Sequence, residues 1–258
     1  MMIRSYPVLS AAGLSDRGLV RTNNEDQWSM AAEEGLFIVA DGLGGHNSGE
    51  IASSLAVRTF MDLASQRRSA AAQAPGLPER RNLLEAWIKA ANRAVYDRAR
   101  SSAKDAGMGT TVVAAWVGAE DIAYAHVGDS RLYLCREGRL ERLTRDHSWA
   151  EDQVRRGLLS PEEARRPDVS SALTRAVGLQ ADVSVDVAGR ALEPGDVLLL
   201  ATDGLTNMAP DAEIEKILGI YRLAAGEAAR RLVERAKAAG GADNITVIVA
   251  RMAGGRQL

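Results

Sequence analysis

Two hydrophobic rhythms alternate along the chain. Ala52, Leu55, Ala56, Phe60 and Leu63 recur at three- and four-residue spacings behind "SGE", and Leu84, Trp87, Ile88, Ala91 and Val95 do so behind "PER". Each set makes one apolar stripe, which predicts two helices. "RRSAAAQAPGLP" between them reads as a surface loop. From Thr110 to Leu143 the rhythm changes to period two or to unbroken apolar runs, "TTVVAAWV", "IAYAHV", "RLYLC" and "GRLERL", separated by turn residues. This predicts an antiparallel meander. The charged stretch from Ser148 to Arg166 contains "SPEE", with Ser160 as N-cap, Pro161 at the first helical position and Glu163 as the returning arm of a capping box. It predicts an exposed helical flap, an insert at about residues 148–170. Strands resume with "VSVDVAG" and "DVLLLAT". Ala225, Ala228, Ala229, Leu232 and Ala236 form a further stripe before the last strand, "ITVIVAR". The opening "MMIRSYPVLSAAGL" imitates a secretory signal weakly and reads as a first strand. With no internal repeat or break in composition, one α+β domain over residues 1–258 is expected, with helices covering stacked antiparallel sheets.

Composition narrows the partners more than the fold. The 258 residues are 46% hydrophobic and 26% charged, with a net charge of -2 and both signs interleaved. No broad basic face points to nucleic acid, and no apolar run approaches the roughly 18 to 20 residues that span a bilayer. A cytoplasmic protein acting alone as a monomer is expected, without nucleic-acid or membrane partners. The single cysteine, Cys135, cannot form an intrachain disulfide and reads as a packed strand residue.

Four aspartates abut apolar strands. "FIVAD" ends at Asp41, "AYAHVGD" at Asp129 and "VLLLATD" at Asp203, while Asp243 directly precedes Asn244 and the final strand. Singly, each is explained as a turn residue, since Asp-Gly is a common turn signal. Together they raise a problem, because neighbouring carboxylates repel and lose hydration. A bound cation removes that conflict. The candidate ligands are hard oxygens and only three histidines exist, which disfavours zinc and suits magnesium or manganese. Gly42 beside Asp41 lets a carbonyl approach an ion. Arg21 in "VRTNNEDQW" could hold two phosphate oxygens in its planar fork or be a solvated surface residue. Glu25 and Asp26 add two carboxylates that could equally form a solvated turn.

In order, "VRTNNEDQW", "VADGLGGHNSGEIAS", "GMGTTVVAAW", "AHVGDSRLYL", "LTRDHS", "LTRAVG", "LLLATDGLTNM" and "GGADNITVIVA" resemble the metal-dependent protein phosphatase family, also called the protein phosphatase 2C family, in its compact bacterial form. The resemblance spans nearly the whole chain. It implies a four-layer α-β-β-α sandwich and a serine/threonine phosphatase that uses two or three divalent ions, manganese or magnesium. Asp41 then matches a carboxylate bridging two metals and Gly42 a carbonyl ligand. Asp203 and Asp243 match ligands of the other metal, and Asp129 with Asp203 a third, weaker one. Glu25 and Asp26 match acidic positions that hold metal-bound waters or ligate at the edge, Arg21 matches the phosphate-binding arginine, and Asn244 is expected to orient this shell. The implied mechanism is in-line attack by a water between two metals, with Asp41, Asp203 and Asp243 as the catalytic carboxylates. The implied partners are phosphoproteins, including a serine/threonine kinase or its substrates.

Some relatives place a histidine directly after the Asp-Gly as candidate general acid, and here that residue is Leu43. His46 is not assigned the role, His147 is expected to brace the flap, and His126 to lie in the core. Two rival readings are open to the same residues. A dinucleotide site fails because the third glycine of its fingerprint falls at Asn47. A catalytically weak phosphoprotein-binding module of the same fold predicts loss of ligands, whereas Asp41, Asp203 and Asp243 are present.

Overall fold

Strands that are apolar at consecutive positions need cover on both faces, and the chain supplies it in four layers. The computed structural model describes residues 10–44, 48–70, 73–160, 163–166, 169, 172–220 and 223–253. In chain order the elements are β1 (Ser10–Asp16), β2 (Asp26–Ala31), β3 (Leu36–Leu43), α1 (Ser48–Ala70), α2 (Leu77–Ser101), β4 (Gly109–Thr110), β5 (Val112–Val117), β6 (Asp121–Val127), β7 (Arg131–Arg136) and β8 (Arg139–Arg142). Then come α3 (Trp149–Arg155), β9 (Asp186–Ala191), β10 (Val197–Ala201), α4 (Asp203–Thr206), α5 (Asp211–Leu218), α6 (Ala225–Ala238) and β11 (Ile245–Arg251). One antiparallel sheet runs β1-β11-β10-β7-β8; the other runs β2-β3-β5-β6-β9, with the short β4 beside β3.

Alternation within β3 shows how the layers are specified. Phe37 and Val39 face the other sheet, where they meet Leu132, Leu198, Leu200 and Ile248. Leu36, Ile38 and Ala40 face the opposite way, onto Ala56 and Phe60 of α1 and Leu84 and Ile88 of α2. Trp87 of α2 stacks on Trp116 of β5 at 5.3 Å, and Phe60 meets Trp87 edge-on at the same separation. On the far side, Leu199, Val247 and Val249 take the apolar faces of α5 and α6. Helices, sheet, sheet and helices therefore form the expected α-β-β-α sandwich. Among the described residues, no helix is long and apolar enough to cross a membrane.

Several expectations need correction. The predicted meander is two hairpins in different sheets: β5 pairs with β6, and β7 with β8. The chain changes sheets at Gly128, whose φ of 104° is a left-handed turn suited to glycine. The expected loop after α1 is shorter, because that helix continues through Arg67 and Arg68 to Ala70. The strand expected over Val183–Gly189 begins only at Asp186; Arg175 takes the Ser184 carbonyl and so holds that stretch as a loop. The brief helices α4 and α5 were not foreseen, each being too short to show a period. The SPEE capping box forms: the Ser160 amide donates to Glu163 Oε2 (2.7 Å) and the Glu163 amide to Ser160 Oγ (3.1 Å). Pro161 and the first nine residues, which carry most of the expected opening strand, lie outside the described residues, as does His46. Cys135 is buried in β7.

Phe37 is fully buried between the sheets. Phe37→Ala should lower unfolding free energy by about 3–5 kcal/mol through the cavity it leaves. Urea denaturation checks this, and a loss below about 1 kcal/mol would show that the two sheets do not close on that side chain.

Candidate metal centre

The aspartates singled out in the sequence end strands of both sheets, and the sandwich brings those ends together. Asp41 lies near the end of β3, in register with Asp26 at the start of β2. Asp203 opens α4 directly after β10, and Asp243 precedes β11, the neighbour of β10. Asp129 follows β6 in the turn that changes sheets. Asp26, Asp203, Asp129 and Asp243 all lie within electrostatic reach of Asp41, so the five acids gather at one end of the sandwich.

Small hydroxyl residues hold the acid-bearing turns. Asp41 is pinned through its backbone: its amide donates to Thr111 Oγ1 (3.1 Å), and its carbonyl accepts from the Thr111 amide and Thr110 Oγ1, both at 2.8 Å. Thr111 Oγ1 also meets Ser130 Oγ at 2.6 Å, which ties the Asp41 strand to the turn carrying Asp129. Thr202 plays the same part in the other sheet. Its Oγ1 accepts from the Thr246 amide (3.0 Å) and donates to Asp26 Oδ2 (2.9 Å).

Asn244 organises the loop before β2. Its Nδ2 donates to the carbonyls of Arg17 (3.0 Å) and Asn23 (2.9 Å), its Oδ1 accepts from the Glu25 amide (2.8 Å), and its own amide donates to Asp243 Oδ1 (2.8 Å). The loop so held presents Arg21 and Glu25. Arg21 Nη2 donates to Asp243 Oδ2 at 2.8 Å with half of its side chain open to solvent. Glu25 lies against the first turn of α1, where a Cβ on Gly49 would fall 2.4 Å from Glu25 Oε2. Gly42 is confined likewise, since a Cβ there would meet the Gly49 carbonyl oxygen at 2.1 Å. Two glycines are thus needed for α1 to approach β3 closely enough to close this corner.

Electrostatics mark the site as strained without a cation. Burial, then the charge of Asp26, pushes Asp41 well above the ordinary carboxylate range. Burial and then Asp203 raise Asp129 to about 8, and burial, opposed in part by the threonine hydroxyl and reinforced by Asp203, raises Asp26 to about 7. Burial, then Asp243, raises Asp203 as well. Oδ1 of Asp203 and Oδ1 of Asp26 are buried without a hydrogen-bond partner. Carboxylate oxygens that repel one another and lack donors fit a hard divalent ion, and the donor set is that of magnesium or manganese rather than zinc.

All of the candidate residues therefore fall in or beside one site: Arg21, Glu25, Asp26, Asp41, Gly42, Asp129, Asp203, Asp243 and Asn244. The sequence reading did not single out Thr110, Thr111, Ser130 or Thr202. For Ser130 and Thr202 the signal was a hydroxyl residue beside an acid, in "GDS" and "ATD"; Thr110 and Thr111 in "GTT" have no acid beside them and meet Asp41 only through strand pairing.

Comparison with known proteins agrees with this geometry. The family model described as protein phosphatase 2C matches residues 20–238. The serine/threonine phosphatase stp of Listeria monocytogenes is 38% identical over 238 residues, covering 91% of this chain and 92% of its own. Among solved structures, serine/threonine phosphatase Stp1 from Staphylococcus aureus superposes with a TM-score of 0.88 at 31% identity, covering 98% of this chain and 99% of that one. The catalytic domain of the phosphatase PstP, solved in complex with two manganese ions, gives 0.84 at 35% identity, with 95% and 99% coverage.

Thr111→Val keeps the shape of that side chain and removes both of its oxygen contacts. It should weaken manganese binding by about tenfold or more, within the range seen when groups orienting metal ligands are lost. Calorimetric titration with manganese checks this; unchanged affinity would show that the Asp41 strand needs no such brace.

Proposed function

The chain belongs to the protein phosphatase 2C family, and on that premise we propose that it removes phosphate from phosphoserine and phosphothreonine in proteins, working with divalent ions at the strand ends. The observation that carries the proposal is the meeting of Asp41, Asp203 and Asp243 beside Arg21. In this reading Asp41, the Gly42 carbonyl, Asp203 and Asp243 would hold two ions, and Asp129 with Asp203 would help hold a third. Glu25 and Asp26 would hold metal-bound waters or ligate at the edge of the site. Manganese or magnesium bound there would supply a nucleophilic water and neutralise phosphoryl charge.

The chain's own residues do the rest. Arg21 reaches the centre from the solvent side, where its fork can turn from Asp243 to two oxygens of an arriving phosphate. Asn244 keeps that arginine in place through the loop it ties, and so fixes the line along which the phosphoryl group meets the centre. Leu43 follows the Asp-Gly and has no proton to give, so the proton for the leaving oxygen has to come from another group at the site. In this reading residues 1–258 make one catalytic domain, to which the insert at about residues 148–170 belongs. We assign the enzyme to the cytoplasm as a monomer that opposes a serine/threonine kinase. No observation favours the weak regulatory module of the same fold.

Purified protein with manganese should hydrolyse p-nitrophenyl phosphate and phosphothreonine peptides and lose the activity in excess chelator. Full activity under chelation, or none with manganese, defeats the proposal. Asp203→Asn should cut kcat by about a hundredfold or more with the thermal melting profile retained. Arg21→Ala should act chiefly on KM, raising it by about tenfold or more, the effect of about 1.5–3 kcal/mol for a charge-assisted bond; steady-state kinetics that leave KM unchanged would remove Arg21 from the phosphate site.

A further inference from the structure

His126, His147 and Asp186 form a second cluster of metal-ligand types within 4.8 Å of one another. Its proton positions speak against an ion. His126 Nε2 lies 2.7 Å from the Arg145 carbonyl and so carries the proton, leaving Nδ1 bare. His147 Nδ1 accepts from the Gly128 amide at 3.1 Å, so its proton is on Nε2, which faces Asp186 Oδ2 at 3.4 Å. An ion at that Nε2 would require a doubly deprotonated ring, and Asp186 is already paired with Arg175 at 2.7 Å. The rings instead stack on each other at 4.6 Å, both buried.

What this arrangement does hold is the turn that delivers Asp129. The His147 amide donates to the Gly128 carbonyl at 3.0 Å while the His147 ring accepts from the Gly128 amide, so one residue grips both backbone groups of the glycine. Gly128 has φ of 104° and packs on Thr111, where a Cβ would come within 2.6 Å. Among the described residues no other side chain grips the backbone of this turn as His147 does, and Ser130, next after Asp129, is tied to Thr111 at 2.6 Å. His147 also anchors the insert, since its carbonyl accepts from the Thr174 amide at 2.8 Å and Ser148 pairs with Leu173.

We propose that His147 is a positioning residue for the ion that Asp129 would help hold, acting through Nδ1 on the Gly128 amide and coupling that position to the root of the 148–170 insert. The inference rests on the metal-centre reading above and adds to it a residue that touches no ligand atom. Its mark is selectivity: loss of Nδ1 loosens Asp129 without loosening Asp41, Asp203 or Asp243, which other elements hold.

Manganese binding measured by calorimetry on the full chain tests it, together with thermal melting in chelator. His147→Ala should weaken the weakest manganese site by about tenfold or more and change the tighter sites by less than about threefold. His147→Asn places an amide oxygen where Nδ1 stands and should restore the weak site, whereas His147→Gln places its amide nitrogen where Nε2 stands and should not. This pair decides the matter even if the alanine variant fails to fold. Retention by Gln with loss in Asn would assign the role to the Asp186 contact and overturn the proposal. Equal weakening of all sites, or a lower melting temperature in chelator with unchanged manganese affinities, would also overturn it by making His147 merely structural. Wild-type protein with tight sites but no weaker one removes the proposal alone; wild-type protein that binds no manganese removes the metal centre with it.

Discussion

Mutual repulsion among carboxyl groups drawn wholly or partly out of water is the constraint around which this molecule is built. Asp41, Asp129, Asp203 and Asp26 are each pushed toward the protonated form by burial, and each is raised further by a neighbouring acid. A chain selected only for stability would not gather them, since removing one charge from water without a partner is costly. The hydroxyls of Thr111, Ser130 and Thr202, with the Asn244 amide, hold the backbone so that the acids cannot swing apart. Stability is given up locally to keep these carboxylates together, and the layered core around Phe37, Leu198 and Ile248 supports that cost.

The sandwich explains why the site lies where it does. Two antiparallel sheets packed face to face present their strand ends along a common edge, so residues far apart in sequence meet there without a long loop. Asp41 comes from one sheet, Asp203 and Asp243 flank adjacent strands of the other, and Asp129 sits where the chain passes between them. Gly42 and Gly49 let α1 press against this corner, and Gly128 allows the crossing turn. Glycines and acids are therefore two parts of one arrangement: the first permit close backbone approach, the second fill the space it defines.

Much of this was legible in the residues. Strands such as "FIVA" and "VLLLA" are apolar at every position because each face is covered, by helices on one side and by the partner sheet on the other. The acids at their ends could be listed from sequence, but their convergence could not, because it depends on which strands share a sheet. The meander expectation failed for that reason: hairpin-like spacing between "IAYAHV" and "RLYLC" looks the same whether the strands pair or part. Short helices such as α5 were missed because eight residues give only Ile214 and Leu218 as buried markers. Ser130 and Thr202 were hidden by their ordinariness, since a serine or threonine beside an aspartate is also what any turn contains, and Thr111 was hidden because it meets Asp41 only across the sheet.

The central claim is that oxygen ligands from separate strands converge to hold divalent ions. Anomalous diffraction from manganese-grown crystals of this protein tests it most directly. The account predicts two strong manganese peaks at the strand ends, with Asp41 reaching both and Asp203 and Asp243 on one of them. Peaks confined to His126, His147 and Asp186, or none near Asp41, would contradict it.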